Sequence, residues 1–70
     1  MEMVKVYIVQ SLNTFEFLCP YEGDVGFTPY LNCAGHFLEM EQARETALEE
    51  IGENFAIFGC YLYEHNLLTN

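Results

Sequence analysis

The run MVKVYIVQSL, residues 3–12, is almost entirely β-branched, aromatic or aliphatic. Val4, Val6 and Ile8 fall on one side of an extended chain, Tyr7 and Val9 on the other. Branching at Cβ disfavours a helix and suits a pleated surface. A strand apolar on both sides needs cover on both, which predicts a central place in a sheet. Residues 54–64, NFAIFGCYLYE, repeat the pattern near the other end. Phe55, Ile57, Gly59, Tyr61 and Tyr63 line one face, with Ala56, Phe58, Cys60 and Leu62 on the other. This strand too is expected to be central, or to form an interface. Gly59 within it suggests a bulge or a close backbone approach.

Between these runs the period changes. Over residues 39–52, Met40, Ala43, Ala47, Leu48 and Ile51 form one helical stripe, and Gly52 is placed to cap the end. That stripe is expected to face the sheet. Residues 14–19, TFEFLC, read as a second strand, with Phe15, Phe17 and Cys19 on one face and Glu16 and Leu18 on the other. The turn signal at Asn13 makes an antiparallel hairpin with the first strand, and Pro20 is expected to end it. Residues 21–35, YEGDVGFTPYLNCAG, carry three glycines and a proline. They read as a long loop or as a loop containing a short edge strand over residues 26–31. Seventy residues make one domain, 1–70. The order predicts an α+β fold: a small antiparallel sheet of three to four strands with one helix packed on one face. An apolar second sheet face then calls for a partner or a homodimer.

Eleven acids face two bases, Lys5 and Arg44, giving a formal charge of −9. Half the chain is hydrophobic, which argues against disorder. The charge excludes direct nucleic-acid binding as an expectation, because displacing counterions takes lysine and arginine. Anionic membrane surfaces are disfavoured for the same reason. Three cysteines, Cys19, Cys33 and Cys60, are an odd number, and Glu2 stands where a signal peptide carries positive charge. The expectation is a cytoplasmic protein with reduced thiols. No apolar run reaches the roughly 18 residues of a membrane span.

The acids concentrate on the helix. Glu41, Glu45 and Glu49 are spaced by four and share one edge, while Glu39, Glu50 and Glu53 extend the acidic surface around the ends. Like charges at this spacing cost roughly 0.2–0.5 kcal/mol per pair. Glu50 and Glu53 also stand near the negative end of the helix dipole. Arg44 can relieve only Glu41 or Glu45. One reading is a solvated face that keeps a small protein soluble. The other is a surface that docks on a basic groove, since arginine pairs with carboxylates as it does with phosphates. Tyr61 and Tyr63 are candidate anchors for such a contact. Glu22, Asp24 and Glu64 would enlarge the patch if the fold brings them near.

Cys33 with His36 and Cys60 with His65 supply a ligand set that zinc accepts. On a regular strand, however, Cys60 and His65 point to opposite faces. Neither a metal nor another cofactor is expected. Cys33 and His36 lack an evident third catalytic group, and the chain has no phosphate loop or dinucleotide fingerprint. Catalysis is therefore not expected, and a small metal-binding protein or enzyme is the remaining alternative.

In size, charge and acidic helix the chain resembles small acidic inhibitors encoded by phages and mobile elements, including anti-CRISPR proteins and some inhibitors of host RNA polymerase. That resemblance implies a DNA-like charge surface, acting in the host-cell cytoplasm. It would occupy a basic nucleic-acid-handling complex, such as a CRISPR effector, and block nucleic-acid binding. The hairpin followed by LEMEQARETALEEI is also similar to the partial RNase-H-like fold of HicB-type antitoxins. That second resemblance implies binding to a toxin.

Overall fold

The computed structural model describes residues 2–63. Five elements and one short 3-10 turn follow in the order β1 (Met3–Ser11), β2 (Phe17–Tyr21), β3 (Asp24–Thr28), the turn (Leu31–Cys33), α1 (Met40–Glu50) and β4 (Phe55–Tyr63). The strands form one antiparallel sheet in the order β3-β2-β1-β4, so the fold is α+β with the helix between β3 and β4. β1 is central, as its two-sided pattern requires. Among the described residues β4 is an edge strand, paired with β1, so of its two expected places, central or at an interface, the central one is not met.

The boundaries of the middle strands differ from the expected ones. β2 begins at Phe17, because residues 12–16 form the turn. Phe15 sits in that turn with φ 65°, outside the ladder. Buried Ser11 organises the turn: its hydroxyl accepts from the N–H groups of Asn13 and Thr14 at 3.2 and 3.4 Å. Pro20 lies inside β2 and does not end it. Tyr21 and Asp24 close a two-residue hairpin, so the next pair, Pro20 with Val25, turns its N–H positions away from the shared ladder. The missing donor of Pro20 is not needed there. The Val25 N–H, facing outward, finds the Asp24 carboxylate at 2.8 Å. The turn itself places Glu22 at φ 49° and Gly23 at φ 80°, the pair of positive values a type I′ turn needs. The edge strand expected over 26–31 is thus shifted to Asp24–Thr28.

β1 and β2 share only one ladder pair, Gln10 with Phe17. Beyond it the strands part, and residues 35–37 fill the gap. Tyr7 and Phe37 exchange two backbone hydrogen bonds, at 2.8 and 2.9 Å, while the Gly35 N–H donates to the Leu18 carbonyl at 2.8 Å. This wedge leads directly into α1 and fixes where the helix starts over the sheet.

The helix packs on the face formed by Val9 and Leu18, with Ala43 and Ala47 wholly buried against them. Tyr7, Val25, Phe37, Ile51, Phe55 and Ile57 close the cluster. The expected stripe is therefore narrower than the sequence suggests. Ala43, Ala47 and Ile51 face the sheet, but Met40 and Leu48 are 55% and 42% exposed. Two alanines bring the helix close, and a close helix can turn only a thin strip inward. At the end of α1, Ile51 and Gly52 both donate to the Ala47 carbonyl, with Gly52 at φ 105°. This is the expected glycine cap. On the opposite face of β1, Val6 and Ile8 are also buried.

Candidate functional site

Glu41, Glu45 and Glu49 stand along the outward side of α1, and all three are exposed. They lie there because the burial of Ala43 and Ala47 fixes the helix rotation. Glu39, Glu50 and Glu53 are exposed at the two ends. Among the described residues one ion pair touches this surface, Arg44 to Glu41 at 3.0 Å, and both partners are solvent-facing. The hydrogen bond and charge of Arg44 hold the Glu41 carboxyl below the usual carboxylate range. Arg44 is raised in return, chiefly by its bond to Glu41. Among the described residues Glu49 has no such ion pair, and Glu45 meets Arg44 only through charge at longer range. No basic residue occupies the last turn of α1, so Glu49 and Glu50 meet the negative helix end uncompensated.

Tyr61 and Tyr63 lie far from the Glu50–Glu53 end of this row. They sit at the far end of β4, whereas Glu50 and Glu53 flank its beginning. Eight residue steps of strand put the two ends of β4 roughly 26 Å apart. Tyr61 lies on the α1 side of the sheet, past the level at which Phe37 bridges to Tyr7 and leads into the helix. The Lys5 ammonium lies between Tyr7 and Tyr61, 5.5 and 5.9 Å from their ring centres. The Glu50–Glu53 end of the acidic face is therefore remote from the aromatic strand end. Glu22 and Asp24 are on the β2–β3 turn at the opposite edge of the sheet and do not extend the helix patch. Glu64 lies outside the described residues.

The sulfur and imidazole groups are dispersed. Cys33 is exposed on the 3-10 turn, His36 is exposed on the wedge, and Cys60 lies opposite Val6 on the sheet face away from α1. His65 lies outside the described residues. Cys19, Cys33 and Cys60 are free thiols. No three His, Cys, Asp or Glu side chains among the described residues converge for a metal ion. No helix among them is long and apolar enough to cross a membrane.

Shallow depressions lie among the described residues, and two are well formed. One, of about 210 Å³, lies between β2, β3 and the wedge, lined by apolar Leu18, Pro20, Val25 and Phe37 with Asp24 and His36 at its border. The other, of about 200 Å³, lies beneath the β1–β2 turn and includes Glu16, Phe27 and Glu50. Both fall short of the roughly 300–1,000 Å³ of ordinary small-molecule sites. The surface is more notable for what projects from it. Phe15, Tyr30, Leu31, Leu38 and Tyr61 are each about 60% exposed or more. No family model, curated protein or solved structure matches the chain.

Proposed function

We propose that the protein is an inhibitor that binds a basic, nucleic-acid-handling protein in the cytoplasm of a host cell and excludes nucleic acid from it. The observation that carries this reading is the row Glu41, Glu45 and Glu49. It is exposed to solvent, continued by Glu50 and Glu53, and relieved by one arginine. A row of carboxylates on a rigid helix offers arginine and lysine side chains the charge pattern of a phosphate strand. A CRISPR effector or a host RNA polymerase is a target of this chemistry. Tyr61 and Tyr63, at the other end of β4 from Glu50 and Glu53, would anchor the contact beyond that end of the row.

A toxin-neutralising role is the second reading. The element order favours it: an antiparallel hairpin precedes an EQARETALEEI helix, as the HicB-type resemblance implies. Both readings require a basic partner, and they differ in which one.

The test uses displacement of labelled duplex DNA or RNA from purified candidate targets, namely CRISPR effector complexes, a host polymerase and a basic ribonuclease toxin. Wild-type protein should displace nucleic acid from one of them, and increasing salt should weaken its own binding. The double variant Glu45→Lys, Glu49→Lys keeps the Glu41–Arg44 pair and should lose at least tenfold in affinity, since each change sets a cation against a cation. Unchanged affinity in a folded double variant would assign the acidic face to solubility alone.

A further inference from the structure

From the open edge of β4 we infer that two copies of this chain pair through it, antiparallel, about a two-fold axis at Gly59. The hydrogen-bond phase of the β1–β4 ladder is decisive. The Leu12 N–H donates to the Asn54 carbonyl at 2.9 Å, one step past the Ser11–Phe55 pair. Alternation then places the even residues of the two strands in hydrogen-bonded pairs and turns the backbone groups of the odd residues outward. On β1 the outward groups are used: Tyr7 bonds Phe37, and Ser11 bonds Glu16 and Phe15. On β4 the outward N–H and C=O groups of Ile57, Gly59 and Tyr61 meet no partner among the described residues.

Edges of this kind are ordinarily protected by charge, proline, a bulge or shortness. β4 has none of these. Its sequence FAIFGCYLY is nine residues long and uncharged, and each residue pairs in turn with β1 from Met3 to Ser11 without a bulge. Every flank of the molecule carrying acids would repel a copy of itself, whereas this strip bears no acid and has only the Lys5 ammonium of β1 lying over it.

The strand is also complementary to itself. Centring a second copy on Gly59 sets outward-facing residues opposite outward-facing residues, so Gly59 meets Gly59 and Ile57 meets Tyr61 of the second copy, each pair exchanging two hydrogen bonds. On the face away from α1, Phe58 meets Cys60 of the second copy, and Ala56 meets Leu62. Tyr61 and Phe58, 61% and 48% exposed in one chain, gain apolar cross-strand neighbours. The absence of a side chain at Gly59 matters here. A Cβ there would stand 3.0 Å from Lys5 Cε, so glycine lets that lysine lie flat across the strand beside the Tyr61 ring. The sole cation of the sheet is thereby placed next to the axis. Pairing yields one eight-stranded sheet with both acidic helices on the same face.

The contact is apolar and backbone-mediated between two chains of charge −9, so screening strengthens it, opposite in sign to an acidic docking contact. Sedimentation equilibrium of the wild-type chain should give twice the monomer mass, with association tightening as NaCl rises from 20 to about 500 mM. Tyr61→Pro deletes an outward donor and leaves the β1–β4 ladder intact, so self-association should weaken roughly tenfold or more with an unchanged far-UV spectrum. Phe58→Cys sets a new thiol opposite Cys60 of the second copy at the closer, non-hydrogen-bonded-pair spacing, within disulfide reach. Mild oxidation should give a covalent dimer whose peptide map joins position 58 to position 60. A wild-type monomer at every salt concentration overturns the inference and gives the edge to a different chain. So does a folded Tyr61→Pro variant that stays dimeric. If Tyr61→Pro fails to fold, the absence of the 58–60 cross-link overturns it alone.

Discussion

Phe15 holds φ 65° with 65% of its surface in water. A bulky residue rarely adopts that backbone conformation, which costs an L-residue roughly 1–2 kcal/mol. Its N–H closes the turn onto the Ser11 carbonyl at 2.8 Å, so the geometry belongs to the loop and not to the side chain. Phe15→Asn should therefore raise stability by about 1 kcal/mol in urea titration, because asparagine tolerates the left-handed region. A loss of stability instead would show that the ring packs in a way its exposure conceals. At Gly52 the logic reverses: Gly52→Ala should cost about 1 kcal/mol, since φ is 105° and open space offers the new methyl no contact. Glu41 supplies a direct electrostatic test. Its carboxyl is lowered by the bond to Arg44, so any stability from the pair is present above the ordinary carboxylate range and lost as pH falls through the lowered value. Arg44→Gln should move the Glu41 titration, followed by carbon NMR, upward toward the ordinary range.

The elements carry their own contrast. Leu18 is 1% exposed between Ala43, Ala47 and β1, whereas Leu48 is on the outer flank of α1. Leu18→Ala should cost roughly 2–5 kcal/mol. Leu48→Ala should cost less, about 1 kcal/mol, since 42% of its surface stays in water. Ala47→Leu should cost roughly 1–3 kcal/mol by forcing the helix off the sheet. The periodicity of residues 3–12, 39–52 and 54–64 was enough to place β1, α1 and β4, because burial imposes a repeat on side chains. It did not reveal that alanine would do the packing while leucine faced out. Helical spacing reports direction to within a turn, and depth depends on which neighbour is near. The β2–β3 hairpin was obscured by Pro20, whose place in a strand depends on the hydrogen-bond phase, and by Glu22-Gly23, a weaker turn signal than Asn-Gly or Asp-Gly. The acidic row was readable from spacing by four alone. That its Glu50–Glu53 end lies at the opposite end of β4 from Tyr61 and Tyr63 was not, because it depends on the direction in which β4 leaves the helix.

At the scale of the whole molecule, charge and apolar surface are divided between different regions. The acids crowd α1 and the turns, and the neutral aromatic strip is at one sheet edge. Glu49→Lys should stabilise the monomer by roughly 0.3–1 kcal/mol, as it puts a cation at the helix end that has none. Thermal melts at low and at physiological salt check this, and the gain should shrink as salt rises. The wedge at residues 35–37 has a further consequence, for the order in which the chain assembles. β2 and β3 are joined by a two-residue turn and can zip locally. β1 and β4 must wait for the whole intervening chain to loop back, and the wedge cannot seat until β1 offers Tyr7 to Phe37. Closure of that long loop is the slow step for a topology of this kind. During that interval the neutral strand β4 has neither β1 nor a second copy beside it, so refolding yield should fall as protein concentration rises.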